Sequence, residues 1–206
     1  MGGTAKSVMP WLALHNGRLW AVNVGNPDTF RQRVAFRGVQ GMPSQEQDRV
    51  LPAALRAWAE TLPELAADVV VDADLTRPYL HVSVAVAPDR LGLLRSRVWE
   101  WAYEAGLLDE ERQDIVMATD EALSNAMEHA FPAGNGELTL FAARDRLARA
   151  VHVIVSDNGT WAAPLSRAAG RGMGLAMMDQ LADVFDLHHD ERGTTVVLRW
   201  ASQASV

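Results

Sequence analysis

The 206-residue chain contains no cysteine. A disulfide scaffold, a cysteine-ligated zinc site and a thiol nucleophile are therefore excluded, and the composition suits a reducing cytosol. Lysine is nearly absent too. Lys6 is the single one, and arginine carries the remaining fixed positive charge. Basic residues number 19 against 26 acidic ones, for a net charge of −7. The clustered cations that neutralise nucleic-acid phosphates are missing, so direct DNA binding is not expected. No apolar run approaches the roughly 18 residues that span a bilayer. The opening MGGTAKSVMPWLALHNG lacks the apolar core of a secretory signal. MGGTAKS fits the loose N-myristoylation pattern with Ser7 in its last position, a match read here as coincidence. The expectation is a cytoplasmic protein with no membrane association.

Hydrophobic residues make up 49% of the chain, enough for a substantial core. The first third reads mainly as short strands. Asn16-Gly17 between apolar runs signals a hairpin, and RVAFRGV reads as a further strand. SQEQDRVLPAALRAWAETL reads as a helix, with Ser44 as cap and Leu51, Ala54, Leu55, Trp58 and Leu62 on one face. Pro52 sits in its first turn or kinks it. ADVVVDADL reads as a buried strand, and DADLTRP, Asp72 to Pro78, as the linker.

From Tyr79 the pattern sharpens. YLHVSVAVAP alternates as a half-buried strand. A helix follows Pro88, with Leu91, Leu94, Val98, Trp101 and Ala102 on its inner stripe and Gly106 as its stop. Asp109 opens a second helix that ends before Pro132. ELTLFAAR and AVHVIVSDN are successive strands. A Gly-rich segment, the helix GLAMMDQLADVFD and the strands VFDLHHD and TTVVLRW complete the chain. Runs of helices beside meandering strands predict an α+β fold, a sandwich with helices on one sheet face.

Four short stretches carry polar groups that packing does not require. In DEALSNAMEHAF, Glu121, Asn125 and His129 are spaced four apart and line one helix face. Ile115, Ala118, Ala122 and Ala126 form a separate, core-facing stripe. A carboxylate and an amide one turn apart suit a base and a magnesium ligand, because Mg²⁺ takes few protein oxygens and keeps waters and phosphates. A solvated helix face is the plainer alternative. SDNG, Ser156 to Gly159, ends a strand with an acid, either addressing a ligand or serving as turn chemistry. GRGMGL, Gly170 to Leu175, leads into a helix. Its glycines and the helix N-terminus suit phosphate, though it is not a P-loop. GTT, Gly193 to Thr195, is a hairpin turn or a nucleotide contact.

Taken together, in this order, these motifs of residues 79–200 resemble the GHKL ATPase superfamily. The nearest resemblance is to the bacterial anti-sigma-factor serine/threonine kinases. DEALSNAMEHAF resembles that family's N box, SDNG its G1 box and GRGMGL its G2 box. The resemblance implies a two-layer α/β sandwich of the Bergerat type over residues 77–203, with a smaller N-terminal α/β region over 1–76. That smaller region would be a degenerate sensor, a docking element or a dimerisation element. The resemblance also implies ATP and Mg²⁺ as cofactors. Glu121 then stands where the family has its general base, and Asn125 where it holds Mg²⁺. Asp157, Gly159 and Thr195 stand at the adenine positions, and Arg171, Gly172, Met173, Gly174 and Leu175 at the phosphates. His129 would support the site, and residues 160–171 would be the lid. One departure is Trp161, where many relatives have a second G1 glycine.

The function so implied is a protein kinase that phosphorylates an anti-anti-sigma partner of the STAS type, controls a sigma factor and forms a homodimer. Two alternatives stay open. One is a regulator that binds ATP without transferring phosphate. The other is a histidine-kinase catalytic domain, disfavoured because residues 1–78 show no long heptad helices.

Overall fold

The computed structural model describes residues 11–15 and 18–22 as backbone, and 51–87, 89–131, 135–147, 149–160 and 173–202. The chain divides into two compact units, Met1–Arg49 and Val50–Val206. In the first, β1 (Trp11–His15) and β2 (Arg18–Val22) pair antiparallel with His15 opposite Arg18. The expected hairpin is thus present, with Asn16-Gly17 between its strands. The RVAFRGV strand and the Ser44 cap lie outside the described residues.

The second unit opens with α1 (Ala53–Ala59) and α2 (Glu64–Asp72). Pro52 and Pro63 stand immediately before these helices, where a missing N–H costs nothing. The helix α2 corrects the sequence expectation, which made ADVVVDADL a strand. Three successive valines favour strand geometry locally. Ala66 and Val70, four apart, are instead buried together, while Val71 is 47% exposed. That helical spacing serves the core better than alternation does.

Five further elements alternate with the helical layer. These are β3 (Leu80–Ala85), β4 (Glu137–Arg144), β5 (Ala150–Asp157), β6 (Val184–Asp190) and β7 (Gly193–Ala201). They form one antiparallel sheet in the order β3-β4-β5-β7-β6. The helices α3 (Arg90–Glu104), α4 (Asp109–His129) and α5 (Met173–Leu181) belong to the same unit. Leu94, Val98, Trp101, Ile115, Ala118 and Ala122 from α3 and α4 pack with Leu138, Leu140, Val153, Val155 and Leu198 of the sheet. Both predicted inner stripes are therefore confirmed.

Gly106, at φ 69°, ends α3 in the left-handed conformation. The Glu111 carboxylate accepts a hydrogen bond from the Leu108 N–H at 2.9 Å as α4 begins. Asp109, Glu110 and Glu111 place negative charge in that first turn, the favourable end of the helix dipole.

The expected α+β sandwich is present, but helices cover both sheet faces rather than the one expected. Leu55, Ala59, Leu62, Ala66 and Val70 pack on Phe141, Ala143, Ile154 and Val197. β4 is accordingly buried at every position after Glu137. The compact unit therefore starts at Val50, ahead of the boundary expected between 76 and 77. The supposed linker is tied down as well. Asp74 N–H donates to the Arg144 carbonyl at 2.8 Å, and the Asp74 carboxylate accepts from Thr76 N–H at 3.1 Å.

Candidate active site

α4 is the surface on which the candidate groups assemble. Its core stripe fixes its rotation, so Glu121 and Asn125 are half-buried on a neighbouring face. The ion pair between Arg95 and Asp120, at 2.6 Å, ties α3 to α4 one residue before Glu121. The first turn of α5 sits directly on Glu121 and Asn125. A Cβ built at Gly174 would lie 2.6 Å from Glu121 Oε2 and 3.1 Å from Asn125 Nδ2. Glycine is thus the residue that lets a helix N-terminus approach this acid and amide. Among the described residues, buried Asn125 Nδ2 meets no hydrogen-bond partner, an arrangement that costs free energy unless another group satisfies it.

The end of β5 supplies the second part. Asp157 shares the helix-side face with Val151, Val153 and Val155, which all lie in that core, and is 7% exposed. Its Oδ1 accepts from Gly159 N–H at 3.0 Å and from Thr194 N–H at 3.3 Å. Burial pushes the Asp157 carboxyl above the ordinary aspartate value, and the two backbone bonds with nearby His189 partly offset it.

The turn after Asp157 is pinned from two sides. Asn158 Oδ1 accepts from Glu137 N–H at 2.8 Å, and Thr160 N–H donates to the Ala130 carbonyl at 2.8 Å. A side chain at Gly159 would collide with that carbonyl. Gly159 thus gives the end of α4 its close approach. At Gly193, φ is +135° and a Cβ would meet the Asp157 carbonyl, so the β6–β7 hairpin needs glycine there.

Thr195 is not brought to this site, which corrects the sequence expectation. Its hydroxyl lies 3.1 Å from Ser156 on the opposite sheet face. Thr194 takes its place: its N–H meets Asp157, and its hydroxyl is 3.3 Å from His189 Nδ1. The two differ by one residue, and in a strand one residue exchanges faces. Alternation was the signal available in the sequence. Thr194 keeps step with Val196, Leu198 and Trp200, which all face the helices.

His129 is half-buried in the last turn of α4. Leu175 is 36% exposed. Met173 opens α5. Arg171, Gly172, Trp161 and the lid expected over 160–171, Thr160 excepted, lie outside the described residues.

An acid, an amide and a glycine-led helix N-terminus meet on α4, a buried aspartate ends β5 on the same sheet face, and comparison with known proteins assigns this architecture a class. Residues 84–200 match the model of the histidine kinase-like ATPase domain. The chain belongs to that family, and the membership implies use of ATP. Within it the chain is similar to serine-protein kinase RsbW. It is 25% identical to the Bacillus pumilus protein over 147 residues, covering 62% of this chain and 88% of that one. Against the Bacillus subtilis protein the identity is 28% over 138 residues, covering 58% and 83%. A crystal structure of RsbU and RsbW domains from Mycobacterium tuberculosis superposes with a TM-score of 0.52 at 27% identity. That match covers 63% of this chain and 34% of the larger protein, so this chain spans about a third of its length.

Proposed function

We propose that this protein is an ATP-dependent serine/threonine protein kinase that phosphorylates an anti-anti-sigma partner of the STAS type and thereby controls a sigma factor. The reading takes its partners from the similarity to RsbW and its chemistry from the site. The observation that carries it is the seating of Gly174 against Glu121 and Asn125. Groups far apart in sequence make a cradle that any Cβ at 174 would fill, beside a buried amide that has no partner among the described residues.

The residues present suit Mg²⁺-ATP. Bound ATP would supply the γ-phosphoryl group, which passes to a partner hydroxyl and leaves ADP, while Mg²⁺ shields the phosphate charge. Asn125 would hold the metal through its amide oxygen. The amide N–H groups opening α5, with Arg171, Gly172, Met173, Gly174 and Leu175, would take the phosphates, helped by the dipole of that helix. Both backbone bonds to Asp157 fall on Oδ1, so Oδ2 would accept from the adenine amino group, with Thr194 beside it. Glu121 would take the proton from the attacking hydroxyl, and a positioned base of this kind contributes about 10²–10⁴-fold. A homodimer in the cytoplasm belongs to the same proposal.

Labelled ATP with a cognate STAS protein tests it. The wild type should transfer phosphate. Glu121→Ala should lower the rate by about 10²-fold or more while leaving ATP affinity within a few-fold. ATP binding with no transfer by the wild type would favour the non-catalytic regulator. The histidine-kinase alternative finds no support among the described residues: α1 and α2, at 7 and 9 residues, pack on the sheet rather than forming a long helix pair.

A further inference from the structure

The sheet face turned away from Glu121 and Asn125 carries a second polar site. Ser83, Thr139, Ser156, Thr195 and His188 are direct cross-strand partners, one from each of the five strands. They form a single row across the sheet. Ser83 and Thr139 share a hydrogen bond at 2.7 Å, and Ser156 and Thr195 another at 3.1 Å. A hydroxyl has one donor and two acceptor positions. Each pair therefore uses one O–H internally and keeps the other. Thr139 and Thr195 are 4% and 6% exposed, while Ser156 is half-buried and Ser83 exposed, so the row runs from a buried middle to an open edge.

Over this row, the turn between α1 and α2 borders a cleft of about 220 Å³ lined by Trp58, Thr139, Ser156 and Thr195, with Glu137, Asp157, His188 and Asp190 also in its wall. Its one arginine, Arg192, is already bound to Asp190 at 2.7 Å. His188 Nε2 also lies 3.5 Å from Asp190, so the lining acids outside that cluster are Glu137 and Asp157, which disfavours a phosphate or carboxylate ligand. The cleft is smaller than the pockets that take drug-sized molecules. α1 and α2 lie upstream of residues 84–200, the part that matches the family. The cover that makes this cleft therefore comes from outside the family domain.

We propose that the cleft between the α1–α2 turn and the rear face of the sheet binds a small uncharged polyhydroxylated molecule of monosaccharide size. An indole wall, a floor of hydroxyls that both donate and accept, and the flanking Glu137 carboxylate, an acceptor, are complementary to such a ligand. Ser156 and Thr195 immediately adjoin Asp157 and Thr194, whose backbone bond crosses β5 and β7 on the other face.

Titration calorimetry on the full chain tests this with glucose, galactose and myo-inositol, using glucose 6-phosphate as the anionic control. At least one uncharged probe should bind saturably with a millimolar or lower dissociation constant, and the phosphate ester should bind at least tenfold more weakly. Trp58→Ala and Thr195→Val should each weaken binding at least fivefold, with folding checked by thermal melting. Thr139→Val gives an independent reading should Trp58→Ala not fold. Glu121→Ala should bind the sugar as the wild type does, which separates this site from the proposed kinase chemistry. No saturable binding by any uncharged probe up to 20-fold above the millimolar range would overturn the proposal. So would binding that the cleft substitutions leave unchanged, or preference for the phosphate ester.

Discussion

Two glycines near the candidate site predict opposite consequences for the same substitution. At Gly174 the atom nearest an added Cβ is the free end of the Glu121 side chain, at 2.6 Å. That side chain can turn away, and alanine is favoured over glycine within a helix by about 0.5–1 kcal/mol. Gly174→Ala should therefore keep or slightly raise the melting temperature while lowering phosphoryl transfer by about 10-fold or more, as expected when a base leaves its place. At Gly193 the obstacle is the Asp157 backbone, and φ is +135°. Gly193→Ala should cost about 1–3 kcal/mol in urea denaturation.

Asp157 gives a third test at this scale. Its folded-state carboxyl titrates above the unfolded one because of burial. Its ionised form thus opposes folding, and stability rises as pH falls through that raised value. Asparagine retains an acceptor for Gly159 and Thr194 without a charge to desolvate. Asp157→Asn should melt no lower than the wild type at neutral pH, yet bind ATP about 10-fold or more weakly, the worth of a hydrogen bond to a charged group. Calorimetry beside thermal melting reads both halves.

Secondary-structure elements show where local pattern was enough and where it was not. The stripes of α3 and α4 have clear helical spacing, and their buried residues match it. The segment ADVVVDADL does not declare itself, because β-branched residues favour a strand whichever way the chain later packs. What made it a helix is the rear face of the sheet, where Phe141, Ile154 and Val197 accept Ala66 and Val70. Leu55 in α1 is 1% exposed against that face, although it lies outside the family domain. Leu55→Ala should cost about 2–5 kcal/mol, and urea unfolding of the intact chain measures it. Thr194 and Thr195 teach the same lesson at the sheet. The motif GTT was legible, but which hydroxyl meets Asp157 depends on the phase of β7 against β5. The hydrogen-bond register settles that phase.

At the scale of the molecule, covering both sheet faces has an electrostatic consequence. His152 stands on the rear face beside its strand partner Arg199. Burial first, and Arg199 second, lower its imidazole to about 4 from the usual 6.5, with Asp145 opposing. The folded protein therefore keeps His152 neutral where the unfolded chain takes up a proton. Stability should be full above pH 6.5 and should fall as pH drops from 6.5 toward 4, by about 3 kcal/mol for this group. Asp157 and Asp186, both raised by burial, act in the opposite sense as pH falls through their own raised values. Chemical denaturation across that range should show the fall in the wild type and a flatter profile in His152→Leu.

The sequence by itself determined the helices with clear periodicity, the alternating strands, and the acid, amide and glycines grouped in short motifs. These are local patterns of burial and chain geometry, and each is complete within about twenty residues. Tertiary structure decided the rest. It made α2 a helix, closed the second face of the sheet, set Thr194 rather than Thr195 beside Asp157, and pressed Gly174 onto Glu121 and Asn125. Each of these depends on which surface the rest of the chain presents, and no local stretch of sequence contains that surface.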